Sequence, residues 1–567
     1  MSGGFEDRGT AGNVIANRLS ENPEFSVLVL EAGISNVDVL GSIVPFYCSR
    51  SVPYDWNYTT VPQVGLNGQI VTYPRKVAIK NGRILGGSSS INCLVYSRGS
   101  REDFDRYAEL SGDSGWSWDS LQPYIRKNER FSPPADHHNT SGQFNPAVHG
   151  FKGLLGVSLA GYAHPFSQRV FNAVNEMSAE FPYNVDMNSG SQIGIGWTQA
   201  TIRGGERSSS ATAYLAPNFL QRPNLDVLIN TQVTRVLQTG SLTFRGVEFA
   251  ADAQAPRHRV TARKEVILSA GTVGTPNVLM HSGIGNSSTL ARLGIKPLHN
   301  LPSVGQNLSD HTFLGNQWSV NSTDTYETAV RNATLAEEQF AQWNATRTGP
   351  LVDTTITQVG WLRIPDNASI FEQFRDPAAG PHTAHYELLF TNGLIRPPTP
   401  PTGNFMGIGT AVVTPVSRGT ITLNSSNPFD APLIDPNLLG SEFDLFVMRE
   451  AVKNVQRFVT APAWNGYILA SQINATTDAE LDDYIRSESS SEYHPVGTAA
   501  MSPKGAVYGV VDPDLRVKGV VGLRVVDASV LPIVPAAHTQ AAVYMFAERA
   551  ADLIKARMTR TNWVTVS

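Results

Sequence analysis

The chain has 567 residues, 16% of them charged and 41% apolar, with a formal net charge of -5 at pH 7. That length supports a large core and two or more domains. Mild acidity excludes the basic footprint of a nucleic-acid partner, and no apolar run reaches the length of a membrane span.

Cys48 and Cys93 are the two cysteines, too few for a disulfide framework or a zinc site. N-x-S/T sequons recur at Asn57, Asn139, Asn286, Asn321, Asn332, Asn344, Asn367, Asn424 and Asn474. That density suits an extracellular glycoprotein. The first residues, Met1 to Arg8, show no basic start, apolar stretch or cleavage site of a signal peptide.

In chain order, Ala11 to Leu19 predicts a helix with Val14, Ile15 and Leu19 on one side. Phe25 to Leu30 predicts a buried strand ending at Glu31, whose carboxylate stands where a nucleotide ribose would need an acceptor. Helix followed by such a strand is half of a dinucleotide-binding unit. Before it, Gly9-Thr10-Ala11-Gly12 preserves part of a glycine-rich turn, with Asp7 in place of an earlier glycine and no strand expected ahead of it. A loop leading into a surface helix reads the same fragment equally.

Gly82 to Asn92 gathers small residues where backbone must lie against something flat or anionic. Trp116 and Trp118 are expected in the core, and His137-His138 in a solvated loop, for want of partners at ligand spacing. Ser208-Ser209-Ser210 lacks a nucleophile elbow and reads as backbone capping. Asn224 to Val236 predicts two strands around a turn. Glu265 to Ala270 predicts a buried strand, and Gly271 to Pro276 opens a helix. From about Phe313 to Ala470, short alternating runs and long loops predict a mixed sheet. The proline-rich run 397–401 reads as a stiff loop over a pocket or as a connector. Gly522 to Ser529 predicts a last strand, and Val543, Phe546, Ala550 and Leu553 mark a helix after Thr539.

Four stretches carry the chemistry: Gly82–Asp105, Gly271–Gly285, His494-Pro495-Val496-Gly497-Thr498 and His538-Thr539-Gln540. In this order they resemble the two signatures and two catalytic segments of the glucose–methanol–choline (GMC) oxidoreductases. Asp55 to Thr60 and Pro133 to Asp136 resemble the fungal aryl-alcohol oxidase branch.

The resemblance implies an α/β fold: an FAD-binding Rossmann-like domain (1–60, 75–110, 205–312, 490–558) with a mixed-sheet α+β substrate domain (61–74, 111–204, 313–489). It implies that Gly9, Thr10, Ala11, Gly12 and Glu31 meet the adenosine half of FAD, and that Val233 meets the adenine by its backbone. Ser88, Asn92, Cys93 and Val95 would line the pyrophosphate and flavin region, with Asp527, His538 and Thr539 near the ribityl chain and ring.

An alcohol losing hydride to a flavin must also lose its hydroxyl proton, and an imidazole is a suitable acceptor near neutral pH. His494 takes that role, with His538 orienting the same oxygen. The donor pocket is expected around Tyr493, Cys93, Leu394 and Ile395. Cys93 and Leu394-Ile395 stand where the family often places aromatics, which predicts a wider, more aliphatic mouth. Residues 76–81 read as an insertion near the flavin site. The expected reaction is oxidation of primary aryl or allylic alcohols to aldehydes, with O2 reduced to H2O2, in a monomer with no metal, membrane or nucleic-acid partner. A quinone-dependent dehydrogenase, a hydroxynitrile lyase and a member that has lost FAD are the competing readings.

Overall fold

Val27–Leu30 is four apolar residues in succession, the pattern of a strand buried on both faces. It forms β2 of a five-stranded sheet in the computed structural model, which describes residues 4–6, 9–49, 54–73, 84–395 and 398–560. With Gly4–Glu6 as β1, Leu225–Leu228 as β3, Val266–Leu268 as β4 and Leu523–Val525 as β5, the order is β3-β2-β1-β4-β5. All four pairings are parallel. This is the order of a dinucleotide-binding sheet, whose ligand crevice lies beyond the carboxyl ends of the strands where the order reverses.

The expectation that no strand precedes the first helix is corrected here. Gly4–Glu6 lies centrally, with Phe5 in register with Val29 on one side and Ile267 on the other. Two neighbours holding three residues supply what the local sequence lacks. Asp7 and the expected insertion at 76–81 lie outside the described residues.

Helix α1, Thr10–Ser20, is buried along its whole length. Helix α2, Gly271–His281, follows β4 directly, and α3, Gln540–Arg560, closes the layer. Arg18 of α1 and Glu548 of α3 form a buried ion pair at 2.8 Å. Trp116, Trp118 and Leu121, expected on the substrate side, share one core with β2, β4, β5 and α3. Ser209 caps the helix Ser210–Tyr214 with a reciprocal capping box, as its sequence suggested.

A second sheet has seven strands, and every pairing within it is antiparallel. Its central strands are Thr312–Val320, Phe405–Val412, Tyr386–Thr391 and Gln358–Leu362. The helix Glu442–Phe458 packs on it through Leu445, Met448 and Val452. The short strand Ser490–Ser491 joins its edge at Thr312 and Phe313, which carries the chain from this sheet towards His494. Among the described residues, no helix is long and apolar enough to cross a membrane.

Candidate active site

Between the two sheets lies a cavity of about 890 Å3. Gly9 after β1, Glu31 after β2, Ser269 after β4 and Asp527 after β5 all face it, so it occupies the carboxyl-end crevice of the parallel sheet. Helices α1 and α2 begin at its wall; the N-cap residue of α1 makes no side-chain cap, whereas the first amide of α2 is taken by Asp527. A Cβ added to Gly9 or Gly271 would meet nothing within 4 Å, and Gly271 has φ +76°. The uncapped N-terminus of α1 forms an anion cradle. Glu31, 1% exposed, accepts from Gly33 N–H at 2.8 Å, which fixes its carboxylate at the end of β2. An anion cradle and a hydroxyl acceptor are what the pyrophosphate and the ribose of a dinucleotide require.

Asp527 organises the turn after β5. Its carboxylate accepts from Gly271 N–H (3.1 Å), Thr275 Oγ1 (2.6 Å) and Ser529 N–H (2.7 Å). Burial raises its pKa against those bonds. The start of α3 is stapled to the glycine-rich stretch: Gln540 Nε2 donates to the Val95 carbonyl at 2.6 Å and His538 N–H to Ser97 Oγ at 3.0 Å. Two motifs distant in sequence thereby form one wall.

Most of the site residues expected from sequence line this cavity. They are Gly9, Thr10, Ala11, Glu31, Ser88, Asn92, Cys93, Val95, Leu394, Ile395, Tyr493, His494, Asp527, His538 and Thr539. Gly12 does not, being buried one turn inside α1, and neither does Val233, which is buried in the strand Gln232–Gly240. The aliphatic mouth is also corrected. Phe46, Tyr47, Tyr54, Trp56, Phe313 and Tyr326 all face the cavity. They come from segments with no periodic signal, and Phe46 meets Tyr326 edge to face at 4.8 Å.

The imidazoles of His494 and His538 meet at the cavity, ring centroids 4.6 Å apart at 77°. Their side chains are 10% and 13% exposed, whereas His311 behind them is fully sealed. Tyr493, just before His494, holds φ +66°, a costly conformation that persists where the surroundings enforce it. His494 N–H donates to Asp310 Oδ1 at 2.9 Å, and Ser491 Oγ donates to the other oxygen at 2.6 Å.

Three further groups complete the cluster, and sequence reasoning had not singled them out. His311 Nδ1 lies 3.0 Å from His494 Nδ1. Glu492 Oε2 lies 3.5 Å from Nδ1 of both rings. Glu387 Oε1 lies 2.9 Å from His538 Nε2. Burial, reinforced by repulsion from Glu492, raises the Glu387 pKa well above the carboxylate range. Burial would also raise Glu492, but His494, His311 and His538 outweigh it and hold the carboxyl below its ordinary value. Glu387 is therefore the neutral acid of the pair and Glu492 the anion. Burial lowers the pKa of His494, with Glu492 opposing, and burial also lowers that of His538. Both shifts favour the neutral imidazole, the form a proton acceptor needs.

Residues 25–313 and 415–547 match the two GMC oxidoreductase family models. The dehydrogenase eriK of Hericium erinaceus is 41% identical over 96% of this chain and 93% of its own length. A pyranose dehydrogenase of Agaricus campestris is 40% identical over 96% of this chain and 92% of its own. Among solved structures, an FAD-dependent oxidoreductase from Chaetomium thermophilum superposes with TM-score 0.87 at 28% identity, covering 98% of this chain and 99% of that one. The aryl-alcohol oxidase branch suggested by Asp55 to Thr60 is a more distant likeness: a fungal aryl-alcohol oxidase structure is 25% identical at TM-score 0.84, covering 98% of this chain and 99% of that one. With both family halves matched in order and relatives covered nearly end to end, this chain belongs to the GMC oxidoreductase family, and its cofactor is FAD.

Proposed function

We propose that this enzyme oxidises an alcohol carbon of a small donor, with His494 accepting the hydroxyl proton. Bound FAD supplies a two-electron hydride acceptor. The observation that carries the reading is the His494–His538 pair, two imidazoles with ring centroids 4.6 Å apart at one cavity wall.

The residues divide the work as follows. Glu31 and the uncapped N-terminus of α1 at Gly9 would hold the adenosine and pyrophosphate half of FAD. The start of α3 would turn its positive end to the region where negative charge develops on reduction. With Nδ1 of His494 engaged by His311 and Glu492, Nε2 is the nitrogen left for the donor hydroxyl. The reading places the hydrogen shared with His311 on Nδ1 of His494, 3.5 Å from the Glu492 carboxylate, so Nε2 keeps its lone pair. The same carboxylate stabilises the imidazolium once the proton has arrived. His538 would orient the hydroxyl, held in place by Glu387.

The names of two relatives, pyranose dehydrogenases, support a sugar hydroxyl as donor in a dehydrogenase reaction, and a quinone is the acceptor this reading takes. The aromatic walls and the likeness to a fungal aryl-alcohol oxidase favour the second reading, a primary aryl or allylic alcohol with O2 as acceptor. The antiparallel sheet, through Phe313, Leu389 and Thr391, would form the donor-facing side. Exposed sequon asparagines such as Asn139, Asn344 and Asn424 support secretion. Asn307 instead donates its amide to the Pro532 carbonyl at 2.8 Å, which suits an unused sequon.

One experiment separates these readings. The FAD-loaded enzyme is mixed anaerobically with aldopyranoses and, separately, with benzylic alcohols, and flavin bleaching is followed. Benzoquinone reduction is then compared with peroxide yield in air. Bleaching by a sugar with preferred quinone reduction is the expected result. Bleaching by benzylic alcohols alone, with stoichiometric peroxide, selects the second reading. No bleaching by any alcohol removes both.

A further inference from the structure

The two cysteines of the chain, far apart in sequence, both face the cavity. Cys93 packs against the small cluster formed by Cys48, Leu94, Ala200 and Ile202, and no disulfide joins the two thiols. Thr354 ties the two positions together: its Oγ1 donates to the Cys93 carbonyl at 2.8 Å and lies 3.7 Å from Cys48 Sγ. Leu94 follows Cys93 at φ +65°, and Val95 N–H returns to the Cys93 carbonyl at 2.9 Å, so a tight turn fixes Cys93 against this wall.

Behind the thiols lies Arg207, 3% exposed. Its Nη1 donates to Asn92 Oδ1 at 2.8 Å and to the Ser89 carbonyl at 3.3 Å. Its Nε and Nη2 are buried and have no hydrogen-bond partner among the described residues. The charges that act on the guanidinium include those of Cys48, Cys93, Tyr54 and Tyr544. A buried cation without a carboxylate is costly, and a thiolate is the anion these neighbours form most readily. Burial would raise the Cys48 pKa, but contact with Cys93 and the charge of Arg207 bring it down to about 6.

We propose that Cys48 and Cys93 are a peroxide-oxidised thiol pair that closes to a disulfide in the cavity wall. The Cys48 thiolate attacks one oxygen of hydrogen peroxide. The O–O bond breaks, leaving a sulfenic acid on Cys48 and a hydroxide that takes up a proton. The Cys93 sulfur then attacks the Cys48 sulfur, the S–O bond breaks and a second water leaves. Two thiols lose two electrons and two protons, and one peroxide becomes two waters. A thiol reductant reverses the reaction. The pair does not depend on the donor or the acceptor of the flavin reaction.

The test uses the full-length flavoprotein, reduced, desalted and treated with hydrogen peroxide, then alkylated in denaturant and mapped by mass spectrometry. The titratable thiols are expected to fall from two to none, with a cross-linked Cys48–Cys93 peptide that dithiothreitol abolishes. In Cys93→Ser, oxidation is expected to stop at a Cys48 sulfenic acid that dimedone traps. Arg207→Met is expected to slow the first step about tenfold, through loss of thiolate. Two thiols surviving in the wild type, or oxidation past the sulfenic acid with no cross-link, overturns the proposal. The wild-type map decides this even where a variant fails to retain flavin.

Discussion

Nδ1 of His494 and Nδ1 of His311 lie 3.0 Å apart, so one of the two must carry the shared hydrogen. If His311 carries it, His494 is protonated on Nε2 and cannot accept the donor proton. If His494 carries it, Nε2 is free. Glu492 Oε2 lies 3.5 Å from both Nδ1 atoms, and the proposed role of His494 requires the second of these states. A pH consequence follows. The base works only when neutral, so activity falls as pH drops through the His494 pKa. Burial lowers that pKa, and Glu492 limits the fall. Glu492→Gln removes the limit. The acid limb of kcat/KM is expected to move to lower pH while the rate on the plateau declines. A limb that stays in place shows that Glu492 does not act on His494.

Glu31 makes a prediction about the cofactor rather than the chemistry. It stands buried at the end of β2, facing the cavity. Glu31→Ala removes a charged hydrogen-bond acceptor worth about 1.5–3 kcal/mol, a loss of roughly tenfold to hundredfold in FAD affinity. Fluorescence titration of the apoprotein with FAD measures it. Unchanged affinity would place the ribose elsewhere.

Stability has its own sensitive point in Arg98. Its Nη2 pairs with Glu129 Oε2 at 2.7 Å, both side chains fully buried, and Glu129 also meets His149 at 2.9 Å. Arg98→Leu leaves Glu129 without its main counter-charge and is expected to cost about 3–5 kcal/mol in a denaturant melt. The pH signs oppose each other. Burial would raise Glu129, but Arg98 and His149 depress it, so its contribution is full above the ordinary carboxylate range and is lost as pH falls through the depressed value. Burial would lower His149, but Asp186 and Glu129 raise it, so its share is full below the ordinary histidine value and is lost as pH rises through the raised one. Wild-type stability should therefore decline on both sides, and Arg98→Leu should weaken the acid-side dependence.

What the sequence made legible divides by physical cause. β2, β4 and α2 declare themselves through apolar runs and a glycine turn, which are local signals. β1 does not, because Gly4–Glu6 is held by its two neighbours rather than by its own residues. In the site, His494 and His538 stand within recognisable motifs. Glu492 stands two residues before His494, but it meets the ring across the left-handed Tyr493, a bend that no local pattern reports. Glu387 left a fainter mark as an acid inside the apolar strand Tyr386–Thr391. His311 depends on the register of Thr312 with Ser491, which no local pattern reports.

The central claim is that His494 takes the proton from an alcohol whose hydride goes to FAD. It is tested most directly by anaerobic stopped-flow reduction of the bound flavin in wild type and His494→Ala, with the donor that bleaches the wild type fastest. The expected result is that His494→Ala retains its flavin and is reduced about 10²–10⁴-fold more slowly. Flavin reduction at the wild-type rate in His494→Ala would contradict it.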